Sequence, residues 1–210
     1  MAKTGTIVID PGHGGQFEVG GSSANNATSA SGVLEKNITL RMAFLVREQL
    51  KLLATAGGHN LKIILTRETD KNVGLAARAN VAKTNNADLF LCIHCNAFNG
   101  TTRGTETLIS PVASGNTNHA ADKAFAQLIQ TAVFKAFLAH DPKAKDREVK
   151  DQGLAVLRDA SLGTKARGCL VELEFIDVKA VDELLNIGAN ANQVRQDIAK
   201  AIAKALITAL

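Results

Sequence analysis

Apolar residues in this chain alternate between two spacings. Short aliphatic and β-branched runs predict strands near residues 6–10, 61–66, 89–94, 104–109, 153–157 and 169–175. Between them, apolar positions recur every three to four residues and predict helices near 35–55, 73–85, 119–139, 179–187 and 191–208. In the first helix Ile38, Met42, Leu45, Val46, Gln49 and Leu53 form one stripe, with Gln49 its polar exception. In the last, Val194, Ile198, Ala201, Ile202, Ala205 and Leu206 form another, and Lys200 and Lys204 face away. Strands that alternate with helices imply an α/β fold. The expectation is a single domain over residues 1–210, with a mostly parallel twisted sheet of about six strands covered by helices on both faces.

Composition narrows the picture. The chain is 46% hydrophobic but only 4% aromatic, with no Trp or Tyr. Its core must therefore be aliphatic, and an appended cell wall binding domain of the aromatic sugar-stacking type is not expected. The formal charge of +4 favours anionic partners, but no Lys/Arg cluster is dense enough to indicate nucleic acid. No apolar run reaches the length of a membrane span, and no secretory signal pattern is present, so synthesis in the cytoplasm is expected. Cys92, Cys95 and Cys169 are odd in number and do not make a disulfide framework. Cys92 and Cys95 spell C-x-x-C, but strand alternation sends Cys92 and His94 to one face and Cys95 to the other. Buried free thiols are the expected state.

Three residues stand out chemically. The apolar run Thr6–Ile9 leaves its strand through Asp10-Pro11-Gly12 into His13, and the run Leu89–Ile93 ends in His94. Ligands in open α/β sheets bind at such carboxyl ends of strands. Glu35 stands at the entry to the first helix. Two His and one Glu are a set that zinc accepts with a fourth position open, yet intervals of 22 and 59 residues match no short zinc motif. From spacing alone the site remains unproven.

The motifs in order carry more weight. IDPGHGG at 9–15, VLEKN at 33–37, Thr66-Arg67 with Asp70, Leu75, Arg78 and Asn80, IHCNA at 93–97, RGTE at 103–106 and LVELEF at 170–175 follow one another. Over about the whole chain this series resembles the zinc-dependent N-acetylmuramoyl-L-alanine amidases of the third type, which cleave peptidoglycan. The resemblance implies one Zn²⁺ per chain on His13, Glu35 and His94, with Glu172 as catalytic acid/base. It implies hydrolysis of the amide between N-acetylmuramic acid and L-alanine. Arg67, Asp70 and Arg78 correspond to structural residues of the family. Glu174 departs from the pattern, because many relatives carry a small residue there. The competing reading of Glu172 and Glu174 is the solvated face of an edge strand.

With no export signal or wall-binding repeat, the chain reads as a monomeric lytic enzyme of the phage endolysin kind, released onto the bacterial cell wall after synthesis. The alternatives are a zinc peptidase of different bond preference, an inactive peptidoglycan-binding module, and a cysteine amidase using Cys92 or Cys95 with His94. Two stretches, 17–32 and 140–152, read as loops placed to contact a long substrate. His59, His119 and His140 fall outside every motif and read as surface residues.

Overall fold

The computed structural model describes residues 1–210 as one six-stranded sheet between two helical layers. Strands β1 (Thr4–Pro11), β2 (Asn60–Leu65), β3 (Leu89–Asn96), β4 (Thr105–Ile109), β5 (Asp146–Asp151) and β6 (Arg167–Phe175) lie in the order β2-β1-β3-β6-β4-β5. β2, β1, β3 and β6 are mutually parallel, while β4 pairs antiparallel with β6 and β5 follows β4 in parallel. β1, β3 and β6 are buried on both faces, which explains their nearly continuous apolar runs.

The main helices are α1 (Glu35–Gly57), α2 (Leu75–Thr84), α3 (His119–Leu138) and α6 (Ala191–Ala209), with two short turns of helix, α4 (Asp159–Leu162) and α5 (Lys179–Asp182). Ile38, Met42, Val46 and Leu50 of α1 and Val194, Ile198, Ile202 and Leu206 of α6 join the larger core. That core also takes Ile7, Ile9, Leu91 and Ile93 from one sheet face. The opposite face, with Val8, Phe90, Cys92 and Leu170, packs a smaller core under α2 and the segment around Val156 and Leu157. All three cysteines are free and buried, and Cys92 and Cys95 belong to different cores.

One strand lies elsewhere than its hydrophobicity suggests. The run Leu154–Leu157, expected as a strand over 153–157, is a 3₁₀ turn at Ala155–Leu157. The fifth strand is instead Asp146-Arg147-Glu148-Val149-Lys150-Asp151, inside the stretch expected to be a loop. β5 is an edge strand exposed along most of its length, and a charged edge discourages pairing with another chain. Hydrophobic patterning cannot reveal a strand whose apolar content is a single valine. The helix expected over 179–187 also divides, its second half being a π turn at Glu183–Ile187.

The order of strands places the site. From β1 the chain crosses through α1 to β2 on one side, and from β2 it returns through α2 to β3 on the other side of β1. The strand order thus reverses at β1, and the crevice beyond the carboxyl ends of β1 and β3 is where such sheets bind ligands.

Candidate active site

Residue 13 follows that first carboxyl end directly. His13 has a left-handed backbone, φ 60°, a conformation that costs a non-glycine residue roughly 1–2 kcal/mol. Two buried arginines hold it there. Arg78 donates from Nη2 to the His13 carbonyl (2.7 Å) and from Nη1 to the Pro11 carbonyl (2.7 Å), and pairs with Asp10 at 2.8 Å. Arg67 donates to the carbonyls of Pro11 (3.0 Å), Gly12 (2.8 Å) and Lys36 (2.8 Å). Lys36 Nζ binds the Gly15 carbonyl at 2.7 Å and Asp70 at 2.8 Å, and Asp70 accepts from Gly15 N. The Arg67–Asp70–Arg78 block therefore builds the turn that presents His13. Burial works against the Asp10 carboxylate, but the Arg78 charge and hydrogen bonds from Cys92, Thr66 and Arg78 hold its pKa below the usual range.

Gly12 makes room for the second histidine. A Cβ there would lie 2.3 Å from His94 Cε1, so only glycine lets the two strand ends approach. The His13 and His94 rings meet edge to face with centroids 4.7 Å apart.

Glu35 lies between them. Its Oε1 is 2.9 Å from His94 Nδ1 and accepts from Cys95 N at 3.0 Å. Its Oε2 accepts from Ala27 N at 2.9 Å. Burial would raise this carboxyl, but the neighbouring His13 and His94 hold it well below the usual carboxylate range. His13 Nδ1 is fixed by the Ser23 carbonyl and hydroxyl, each at 3.0 Å. His13 Nε2 then faces Glu35 Oε2 at 3.1 Å, yet it is buried and makes no hydrogen bond. An unpaired buried nitrogen is costly unless something else takes its lone pair. One donor atom from each of His13, Glu35 and His94 lies within 4.8 Å of the others, a group that can hold a metal ion. The set of imidazoles and carboxylate, with Nδ1 of His13 already oriented, fits zinc.

Glu172 stands opposite His94 in the β3–β6 register and opposite Glu106 in the β4–β6 register. β6 is an interior strand, which excludes the edge-strand reading of its glutamates. Glu172, His94, Glu35 and Asn96 line a cavity of about 250 Å³. Glu172 Oε2 is buried without a hydrogen-bond partner. Burial, then the charges of Glu35 and Glu106, push its pKa well above the ordinary carboxylate value. Glu174 has a different environment. It is buried, accepts from Gly104 N (2.7 Å) and Phe175 N (2.8 Å), and lies 3.4 Å from Arg103. Its carboxylate ties the end of β6 to the start of β4.

The thiols take no part in this geometry. Burial raises the pKa of Cys92 and Cys95 well above the ordinary thiol value, and Cys92 donates to Asp10 at 3.0 Å. Nucleophilic cysteines need the opposite environment. His59 accepts from Lys3 N, while His119 and His140 pair with Asp151 and Asp197, away from the site. Sequence reading passed over Asn96 and Glu106, although both stand inside quoted motifs. Asn96 Nδ2 donates to Glu106 Oε1 at 2.8 Å along the cavity wall. Lys36, inside the VLEKN motif, and Thr39, outside every motif, also fix the turn from the first turns of α1.

Known proteins share this fold. Residues 7–204 match the family model described as N-acetylmuramoyl-L-alanine amidase. The chain is 30% identical to the N-acetylmuramoyl-L-alanine amidase CwlM of Bacillus licheniformis, over 95% of this chain and 68% of that one. It is also 30% identical to the endolysin of Bacillus phage SPP1, over 95% of this chain and 65% of that one. The catalytic domain of CwlV from Bacillus (Paenibacillus) polymyxa var. colistinus superposes with a TM-score of 0.75 at 25% identity, covering 96% of each chain. The chain belongs to the N-acetylmuramoyl-L-alanine amidase family.

Proposed function

We propose that this chain hydrolyses the amide joining the lactyl group of N-acetylmuramic acid to L-alanine in peptidoglycan, with His13, Glu35 and His94 holding one zinc ion and Glu172 moving the proton. The carrying observation is the buried, unpaired His13 Nε2 facing Glu35 and His94 at the carboxyl ends of β1 and β3. Zinc, when bound, polarises a carbonyl and acidifies water. The remaining work belongs to the chain. Ser23 fixes the tautomer and tilt of His13 through Nδ1, and the backbone N–H groups of Ala27 and Cys95 orient Glu35. Glu172, on the far wall of the same cavity, takes a proton from the attacking water and returns it to the departing nitrogen. Its Oε2 has no competing partner to surrender first.

The amidase reading rests on the family match over nearly the whole chain. A lytic role at the cell wall is supported by the likeness to the SPP1 endolysin. No helix is long and apolar enough to cross a membrane. Digestion of purified peptidoglycan with mass analysis tests the activity. Stem peptides with new α-amino groups at L-alanine are expected, suppressed by chelator and untouched by thiol alkylation. New reducing sugar ends would instead identify a glycosidase.

A further inference from the structure

Beside the cavity, on the edge strand, two cations converge on one carboxylate. Glu106 Oε2 accepts from Arg147 Nε at 2.9 Å and also pairs with Lys150, while its Oε1 is held by Asn96. Two cations thus share the Glu106 carboxylate, which faces Glu172 across the β4–β6 register.

The Arg147 side chain is fixed along its length. Its aliphatic arm packs over Gly104, where a Cβ would lie 2.7 Å from Arg147 Cγ. Its guanidinium lies 5.2 Å from the centre of the Phe175 ring. Only Nε is engaged by the protein; the two terminal nitrogens make no hydrogen bond within the chain, and the side chain is 35% exposed. A guanidinium held by Nε and open at both terminal nitrogens is preorganised to bind a carboxylate in two-pronged fashion.

We infer that Arg147, assisted by Lys150, is a specificity residue that binds a free carboxylate of the stem peptide one residue beyond the scissile bond. This inference rests on the amidase reading. Glu106 positions Arg147, and through Asn96 it joins that subsite to the wall of the catalytic cavity. A stem peptide whose second residue is amidated offers the guanidinium a neutral group and loses the charge-assisted pair.

Two N-acetylmuramoyl peptides, identical except for a free or an amidated carboxyl on the second residue, test this with the zinc-loaded protein. Wild type is expected to favour the free acid in kcat/KM by about 10-fold to 100-fold, the range for losing a hydrogen bond to a charged group. Arg147→Gln should collapse that ratio towards one, chiefly through KM for the free acid, and Arg147→Lys should retain part of it. A wild-type ratio near one overturns the inference, as does an Arg147→Gln ratio equal to that of wild type. If the variant does not fold, the wild-type ratio alone decides. Failure of wild type to cleave either peptide at the lactyl–alanine bond refutes the amidase reading itself.

Discussion

On the β1 side of the site, His13 sits in a turn whose carbonyls are taken up by Arg67 and Arg78. On the β6 side, Glu172 Oε2 is buried and free of any partner. Most polar groups of the first region are bonded within the chain, although Nε2 of His13 is left open. The second leaves a carboxylate unpaired at a cavity wall. The difference separates two tasks. Metal ligands need fixed geometry, because a small displacement changes affinity steeply, and their supporting shell supplies it. A proton carrier needs an oxygen that is not already committed. On the proposed function, rigidity is concentrated where the ion would sit, and availability where the proton would move.

Breaking the rigid side should give the largest loss of stability. Arg78→Met leaves the Asp10 carboxylate buried without its cation, a change expected to cost about 3–5 kcal/mol. Chemical denaturation would measure it, and a loss below 1 kcal/mol would show that the clamp is not needed. The pH dependence sharpens this. The Asp10 pKa in the folded chain lies below its unfolded value of about 3.9. Its stabilisation is thus complete above the unfolded value and is lost as pH falls through the folded one. In Arg78→Met the buried carboxyl loses that depression, so the gap between variant and wild type should narrow as pH falls below roughly 4. A gap that stays constant would remove the pair from the account of stability.

A smaller disturbance brings the two strand ends into collision. Gly12→Ala drives a Cβ into the His94 ring, and overpacking of this kind costs typically about 1–3 kcal/mol. Zinc affinity should fall together with stability, which equilibrium dialysis against a competing chelator would show. Unchanged affinity would mean that His94 can shift without harm. The weakest effect concerns surface charge. With a net charge of +4, activity on whole sacculi should decline modestly as salt passes roughly 0.15 M, where the Debye length is about 8 Å. A flat response would remove charge attraction to the wall.

Much of this was legible in the sequence where burial and pattern coincide. β1, β3 and β6 are buried on both faces, so their apolar runs announced them, and His13 and His94 stood at two of their ends. Glu35 stood out at a helix entry, but its link to the two histidines and the role expected of Glu172 were recognisable only through the ordered motifs, since residues 22, 59 and 78 positions apart are joined by topology and not by local spacing. β5 was missed because an exposed, charged edge strand looks like a loop. Arg147 was missed as a site residue for the same reason, sitting in a stretch of mixed charge with no periodicity. Glu174 shows the converse case. Its departure from the family pattern was visible, but its use, accepting from Gly104 and Phe175, depends on a loop from another part of the chain.

The division between fixed ligands and a free proton carrier is tested most directly by Glu172→Gln, assayed for bound zinc and for peptidoglycan turnover on the same preparation. The expected result is about one zinc per chain, as in wild type, with turnover reduced by about 10²–10⁴-fold. Loss of the metal would make Glu172 part of the ion's support, and turnover near the wild-type rate would show that the proton is carried by another group.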